Sequence, residues 1–329
     1  MVAEASTTVL LSGADGEFGR RVRRRLDECT GVRLSLIGPA TEGGDAAEVV
    51  VHLASGDHDA RAFGRQSVTE GVVRMLDRAS AAGAGHVVFV SSAMVYGAYP
   101  NNPIPLTEQA VLRPDVEFVF ARQLATAEAL VDQWRREAPG RTTTVLRPVV
   151  TMDATESSTL ARALAAGFGQ RFGEDDPPAQ FVHLDDVVAA VTLGVAQRLD
   201  GVFNVAPDGW VAGERVRELT GSGWKLKLPE RASEVWSALR WRFQRGPIPP
   251  GLRPYTRSPW LVANDRLKAH GWSPSVTNEQ AYVEGTEAKW WTMITPKRRQ
   301  ELSLGAMTLG IAAAAAAGVS LARRRLRNR

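Results

Sequence analysis

The sequence predicts a doubly wound α/β fold, and three observations carry that prediction. Short apolar runs of five to seven residues alternate with helical segments. A glycine-rich turn stands between the first run and the first helix. The later runs are apolar at nearly every position, as strands covered on both faces require. The 329 residues leave room for one large α/β domain and a smaller attached one.

Thr7–Leu11 is β-rich and stops at Ser12-Gly13, after which Phe18, Val22 and Leu26 recur at helical spacing with arginines on the other face. Val32–Ile37 reads as a second strand, closed by Gly38-Pro39, and Glu48–Ala54 as a third. Residues 69–82 read as a helix, His86–Val90 as a buried strand ending at Ser91-Ser92, residues 118–137 as a long amphipathic helix and Thr142–Leu146 as a strand. Beyond Pro148 the pattern loosens. Asp185-Asp186 precede an apolar helix over Val187–Ala196, with one of the two aspartates expected to cap it, and Gly201–Val205 is a short strand. Eight of nine tryptophans fall between 210 and 291, in Pro- and Arg-rich sequence. The expected division is a dinucleotide-binding domain over 1–150 that also receives 185–200, a smaller irregular substrate-type domain over 151–296, and a basic-flanked hydrophobic tail over 297–329.

Composition narrows the chemistry. The one cysteine, Cys29, excludes an internal disulfide framework and a cysteine-based zinc site, and the five histidines show no ligand spacing, so no metal is expected. Residues 297–329 hold eight basic residues and one acid, which leaves −3 of the overall +4 for residues 1–296. A mildly acidic body argues against a nucleic-acid-binding face. No charged segment followed by an apolar run opens the chain, so a cytoplasmic body is expected. No lysine precedes Lys225, and residues 1–224 therefore offer no amine to a reaction.

Gly13-Ala14-Asp15-Gly16-Glu17-Phe18-Gly19 lies between the first strand and the first helix, where glycines permit a tight turn, close approach of a pyrophosphate and close helix–strand packing. The free amides at the helix start then face the phosphates. The loop points to a Rossmann site for NAD or NADP, with Leu53, Ala54 and Ser91 at neighbouring strand ends as further cofactor-binding candidates. Asp15 and Glu17 add negative charge there. The second strand ends Leu36-Ile37-Gly38, without an acid for the ribose of NAD or an arginine for the phosphate of NADP.

Together with Val51–Ala54, Ser91-Ser92-Ala93-Met94-Val95-Tyr96-Gly97, Leu146-Arg147-Pro148 and Phe181–Asp186, this loop resembles the extended short-chain dehydrogenases/reductases. The branch it is most similar to is the NAD-dependent epimerase/dehydratase family (UDP-glucose 4-epimerase-like), over about residues 7–285. The resemblance implies a nucleotide-sugar ligand, a homodimer through the helix at 118–137, and Ser92 as the residue that binds the reacting oxygen. In such relatives a tyrosine acts as acid/base, with a lysine four residues later. Aligning Glu128 with the acid that usually follows that lysine puts Phe120 at the tyrosine position and Leu124 at the lysine position. A register shifted by two would pair Phe118 with Arg122. Tyr96, Tyr99, Tyr255 and Tyr282 are followed four residues later by Pro100, Pro103, Pro259 and Thr286, so Tyr-x-x-x-Lys occurs nowhere in the chain. A phenyl ring has no proton to exchange, and loss of a general acid/base costs about 10²–10⁴ in rate. The sequence thus implies a degenerate site, a pseudoenzyme; the alternative is an active epimerase or oxidoreductase using Ser92 with a substitute acid such as Tyr99. Arg147 faces either a substrate phosphate or a carboxylate, and His183 reads as structural.

Residues 303–322 form twenty uncharged residues between Lys297-Arg298-Arg299 and five arginines, long enough to cross about 30 Å of hydrocarbon as a helix. Ala306, Gly310, Ala314, Gly318 and Ala322 recur every fourth residue, a stripe suited to close helix packing. The expectation is a C-terminal membrane anchor with the body on the cytoplasmic side. Spanning with a cytoplasmic body would leave the five arginines on the far side, against the positive-inside tendency, whereas a shallow interfacial placement keeps both basic ends on the cytoplasmic leaflet.

Overall fold

A computed structural model describes residues 6–14, 16–36, 46–54, 68–154, 161, 164, 176–219 and 250–286. Ile37 and Gly38-Pro39 at the end of the expected second strand, the run 303–322, and Asp15 lie outside these. Six parallel strands form the central sheet: β1 (Thr7–Ser12), β2 (Val32–Leu36), β3 (Val49–Leu53), β4 (His86–Val90), β5 (Thr142–Pro148) and, after two short strands, β8 (Gly201–Val205). Their order is β2-β1-β3-β4-β5-β8. Helices α1 (Gly16–Asp27), α2 (Val68–Ala81), α3 (Val119–Arg136) and α4 (Leu184–Gln197) provide the cover.

The apolar runs explain the sheet's centre. Every residue of β3 and of β4 is buried, whereas β2 alternates partly buried with exposed positions and leaves Leu36 40% exposed. β2 is the outermost strand on its side among the described residues. The order reverses at β1, which pairs β2 on one side and β3 on the other. Open parallel sheets bind ligands outside the carboxyl ends of the strands at such a reversal.

The later sequence returns to the sheet more fully than its irregular pattern suggests. β8 zips onto β5 from Thr144↔Gly201 to Pro148↔Val205, and α4 packs against α1. α4 starts three residues before the expected Val187, and its cap is His183, whose Nδ1 accepts the Asp185 amide at 3.2 Å. Neither aspartate caps it. The Asp186 carboxylate instead accepts from the Ser275 amide (2.8 Å) and hydroxyl (2.6 Å). Beside the sheet, β6 (Val150–Met152) and β7 (Phe181–His183) pair in parallel, and near them lies the final described helix, α8 (Asn278–Gly285), whose Tyr282 ring packs 4.6 Å from Phe181. Three further short helices are α5 (Gly213–Leu219), α6 (Arg253–Arg257) and α7 (Asp265–Lys268). Among the described residues no helix is long and apolar enough to cross a membrane.

Candidate functional site

The three glycines of the first turn do three different things. Gly13 has φ +80°, and a Cβ there would sit 2.2 Å from the Leu53 carbonyl oxygen, so β1 can turn tightly against the end of β3 only without a side chain. Gly19 lies so close to Ala14 that a Cβ would meet its backbone at 2.3 Å, bringing α1 down onto the loop. Gly16 has φ +86° and nothing within 4 Å of the place a Cβ would take, so bare backbone faces open space at the start of α1. That combination fits the approach of a phosphate to amide groups.

The negative charge expected to oppose an anion here is compensated on the described side. Glu17 accepts from Arg20 (2.9 Å) and Arg21 (2.8 Å), and the Arg21 hydrogen bond foremost holds its carboxyl below the usual range. Arg21 also pairs at 2.8 Å with buried Asp153 and with Asp185, tying α1 to the end of β6 and the start of α4. His183 Nε2 lies 3.3 Å from Glu284 and so belongs to this framework, the structural role its sequence context suggested.

A small open cleft adjoins the glycine turn at Phe18. Phe18 and Ala54 line one part; Ser91, Ser92 and Phe120 meet at another; Pro148, Leu184 and Val187 close it from the later chain. The lining described is apolar apart from three hydroxyls, those of Ser91, Ser92 and Thr151. Ser92 is the N-cap of a 3₁₀ helix over Ala93–Tyr96, and its Oγ accepts the Met94 amide at 3.3 Å. The proton of Ser92 remains available to an acceptor in the cleft. Tyr99, the candidate substitute acid, is not among the lining residues; the Arg113 guanidinium covers its ring at 4.8 Å.

The register of α3 follows from burial. Phe120, Leu124 and Glu128, four residues apart, form one buried face, with Leu124 fully covered. Arg122 is exposed on the opposite side, which removes the shifted pairing with Phe118. Phe118 instead packs edge-on to Tyr255 at 5.6 Å. Glu128 is committed as well. Its carboxylate accepts from Ser91 Oγ at 2.5 Å and from Arg147 through Nε (3.1 Å) and Nη2 (2.5 Å). Arg147 also donates to the Tyr96 hydroxyl at 2.7 Å, and Tyr96 donates to Asn204 on β8 at 2.8 Å. Arg147 therefore faces a carboxylate, not a ligand phosphate. Burial pushes the Tyr96 phenol up to about 12, against the opposing pull of Arg147. Arg147, Pro148 and Leu184 lie in segments the sequence singled out without a place in the cleft, and Thr151 and Val187 carried no signal; the pairing of β4 with β5 and the return of α4 bring Pro148, Thr151, Leu184 and Val187 to the lining.

The strand order and the glycine turn place the chain in the doubly wound α/β class. Residues 40–206 match the NAD dependent epimerase/dehydratase family, and the chain belongs to that family. An uncharacterized protein of Mycobacterium tuberculosis (strain ATCC 25618 / H37Rv) is 25% identical over 211 residues, 63% of this chain. An uncharacterized protein of Mycobacterium bovis matches to the same extent, and the chain spans 55% of the length of these relatives. Among solved structures, the UDP-glucose 4-epimerase of Thermus thermophilus in complex with NAD superposes with TM-score 0.60 at 17% identity, over 86% of this chain and 98% of that one. The UDP-Glc/GlcNAc 4-epimerase of Campylobacter jejuni gives 0.62 at 15% identity, over 87% and 99%. The dTDP-glucose 4,6-dehydratase of Bacillus anthracis in complex with NAD gives 0.59 at 14%, over 88% and 98%. At these identities the likeness is one of fold.

Proposed function

We propose that this chain binds NAD or NADP in the cleft but does not perform the tyrosine-driven proton transfer of its relatives, and serves as a binding subunit held at a membrane by its C-terminal tail. The observation that carries the reading is the buried face of α3, where Phe120 borders the cleft and Leu124 is fully covered. Glu128, next on that face, is bound to Arg147 and Ser91 and is not free to act as a base. The dinucleotide, when bound, supplies a hydride donor or acceptor. Gly13, Gly16, Gly19 and the start of α1 would hold its pyrophosphate, and Ser91, Ser92 and Phe120 would line the part of the cleft open to the rest of it. Ser92 can donate to one oxygen, but the described lining contains no His, Lys, Tyr, Asp or Glu to carry a proton away.

Two solved neighbours carry NAD, and the UDP-glucose 4-epimerase of Thermotoga maritima was solved with UDP-glucose, which makes a nucleotide sugar the natural second ligand to try. The membrane tether rests on the uncharged run 303–322 and its basic flanks. The cytoplasmic placement and a homodimer through α3 belong to the same proposal.

Calorimetric titration of the full chain with NAD⁺, NADH, NADP⁺ and NADPH should give micromolar or tighter binding for at least one. No binding at millimolar ligand would overturn the proposal. The competing reading, an active enzyme using Ser92, is favoured if purified protein turns over UDP-glucose and Ser92→Ala abolishes that turnover.

A further inference from the structure

Glu128 and Arg147 are both nearly inaccessible, 6% and 4% exposed, and neither borders the cleft. Burying two charges is costly and rarely repaid by their mutual attraction alone, so what the pair holds is informative. Glu128 takes the Ser91 hydroxyl at 2.5 Å, and Arg147 gives a hydrogen bond to the Tyr96 hydroxyl at 2.7 Å. Ser91 and Tyr96 are the two ends of one short segment, and Ser92 lies within it. The ion pair joins α3 to β5, so the segment is gripped at both ends from two elements of the rigid core. Asn204 Oδ1 on β8 accepts a hydrogen bond from the Tyr96 hydroxyl at 2.8 Å and completes the hold. Between the grips, Ser92 starts the 3₁₀ turn with extended φ and ψ (−154°, 146°), its Oγ accepting the Met94 amide at 3.3 Å and its proton left for the cleft.

We propose that the buried Glu128–Arg147 pair is a positioning device for Ser92, fixing the cleft wall that meets the nicotinamide half of a bound dinucleotide. This rests on the dinucleotide reading above. The pair touches no ligand and acts only through the Ser91–Tyr96 segment. Sites are held to useful tolerance when their residues are locked by buried hydrogen bonds from behind.

The test uses the full chain and two probes, NADH and ADP-ribose, which keeps the pyrophosphate but lacks the nicotinamide. Glu128→Gln, which retains shape and removes the charge, should weaken NADH by about tenfold or more and leave ADP-ribose within about twofold. Ser92→Ala should weaken NADH selectively too, and Glu128→Gln should then add nothing to it. Equal losses for both probes, additive losses in the double variant, or no loss would each overturn the proposal. Should Glu128→Gln not fold, Tyr96→Phe releases the other grip with the ion pair intact; it should weaken NADH selectively, and an equal loss for ADP-ribose would overturn the idea. Wild-type protein that binds both probes equally overturns this inference alone. Wild-type protein that binds neither overturns the dinucleotide reading and this inference with it.

Discussion

Gly13 and Gly16 both hold positive φ, yet substitution should tell them apart. Alanine at Gly13 meets the Leu53 carbonyl as well as the backbone strain, and should cost about 2–4 kcal/mol in urea unfolding. Alanine at Gly16 meets open space, so the cost should be near the strain alone, about 1–2 kcal/mol. Its larger effect should be on dinucleotide affinity, because the methyl enters the space a phosphate would use. Two buried histidines set a different residue-scale expectation. His52, beside Ser12 at 3.0 Å, and His86, beside Thr142 at 2.8 Å, are both pushed down to about 4, chiefly by burial. The unfolded chain, with ordinary histidines near 6.5, then binds more protons between those values. Stability from this source is full above pH 6.5 and falls as the pH drops toward 4, by about 2 kcal/mol per histidine at pH 5. A urea midpoint that does not fall between pH 7.5 and pH 5 would contradict it.

α3 shows what can be decided element by element. Phe120→Tyr puts a hydroxyl at the cleft border and should cost less than about 1 kcal/mol, whereas Leu124→Lys buries an ammonium at a fully covered position and should cost about 3–5 kcal/mol. Chemical denaturation of both variants checks the contrast. If it holds, the Tyr-x-x-x-Lys pair cannot be restored by two substitutions without a repacked neighbour. Arg147→Ala strands the Glu128 charge and should also cost about 3–5 kcal/mol, more than replacing both partners by methionine. Much of this element was legible in the sequence, because Phe120, Leu124 and Glu128 are spaced for one helical face and no tyrosine has a lysine four residues on. The strands were legible for a similar reason: β3 and β4 are short, β-branched runs, apolar but for one histidine each. What could not be read is whatever depends on contact between distant segments. Arg147 was compatible with a phosphate or a carboxylate until α3 and β5 were side by side. Leu184 and Val187 reach the cleft only because α4 folds back on α1, and Asp186 reads as a helix cap until Ser275 arrives to hold it. Tyr99 was close enough in sequence to be a candidate acid and is held elsewhere by Arg113.

At the scale of the whole molecule, the tail gives a prediction separable from the fold. The full chain should float with anionic vesicles, and a chain ending at residue 296 should stay in the aqueous fraction; equal partitioning would remove the tether. The body carries a further consequence, which lies in the closing of its sheet by β8 and of its first helix by α4. β5 gains its outer neighbour only at residues 201–205, and α1 gains its cover only at 184–197, with Arg21 reaching Asp153 and Asp185 on the way. A nascent chain that has emerged from the ribosome only as far as residue 150 therefore presents the bare edge of β5 and an uncovered apolar stripe on α1. Such a fragment is the length of a domain without being one. Synthesis must run past residue 205 before β5 is paired on both sides, and a chain stopped short of that point is expected to aggregate more readily than the full-length protein.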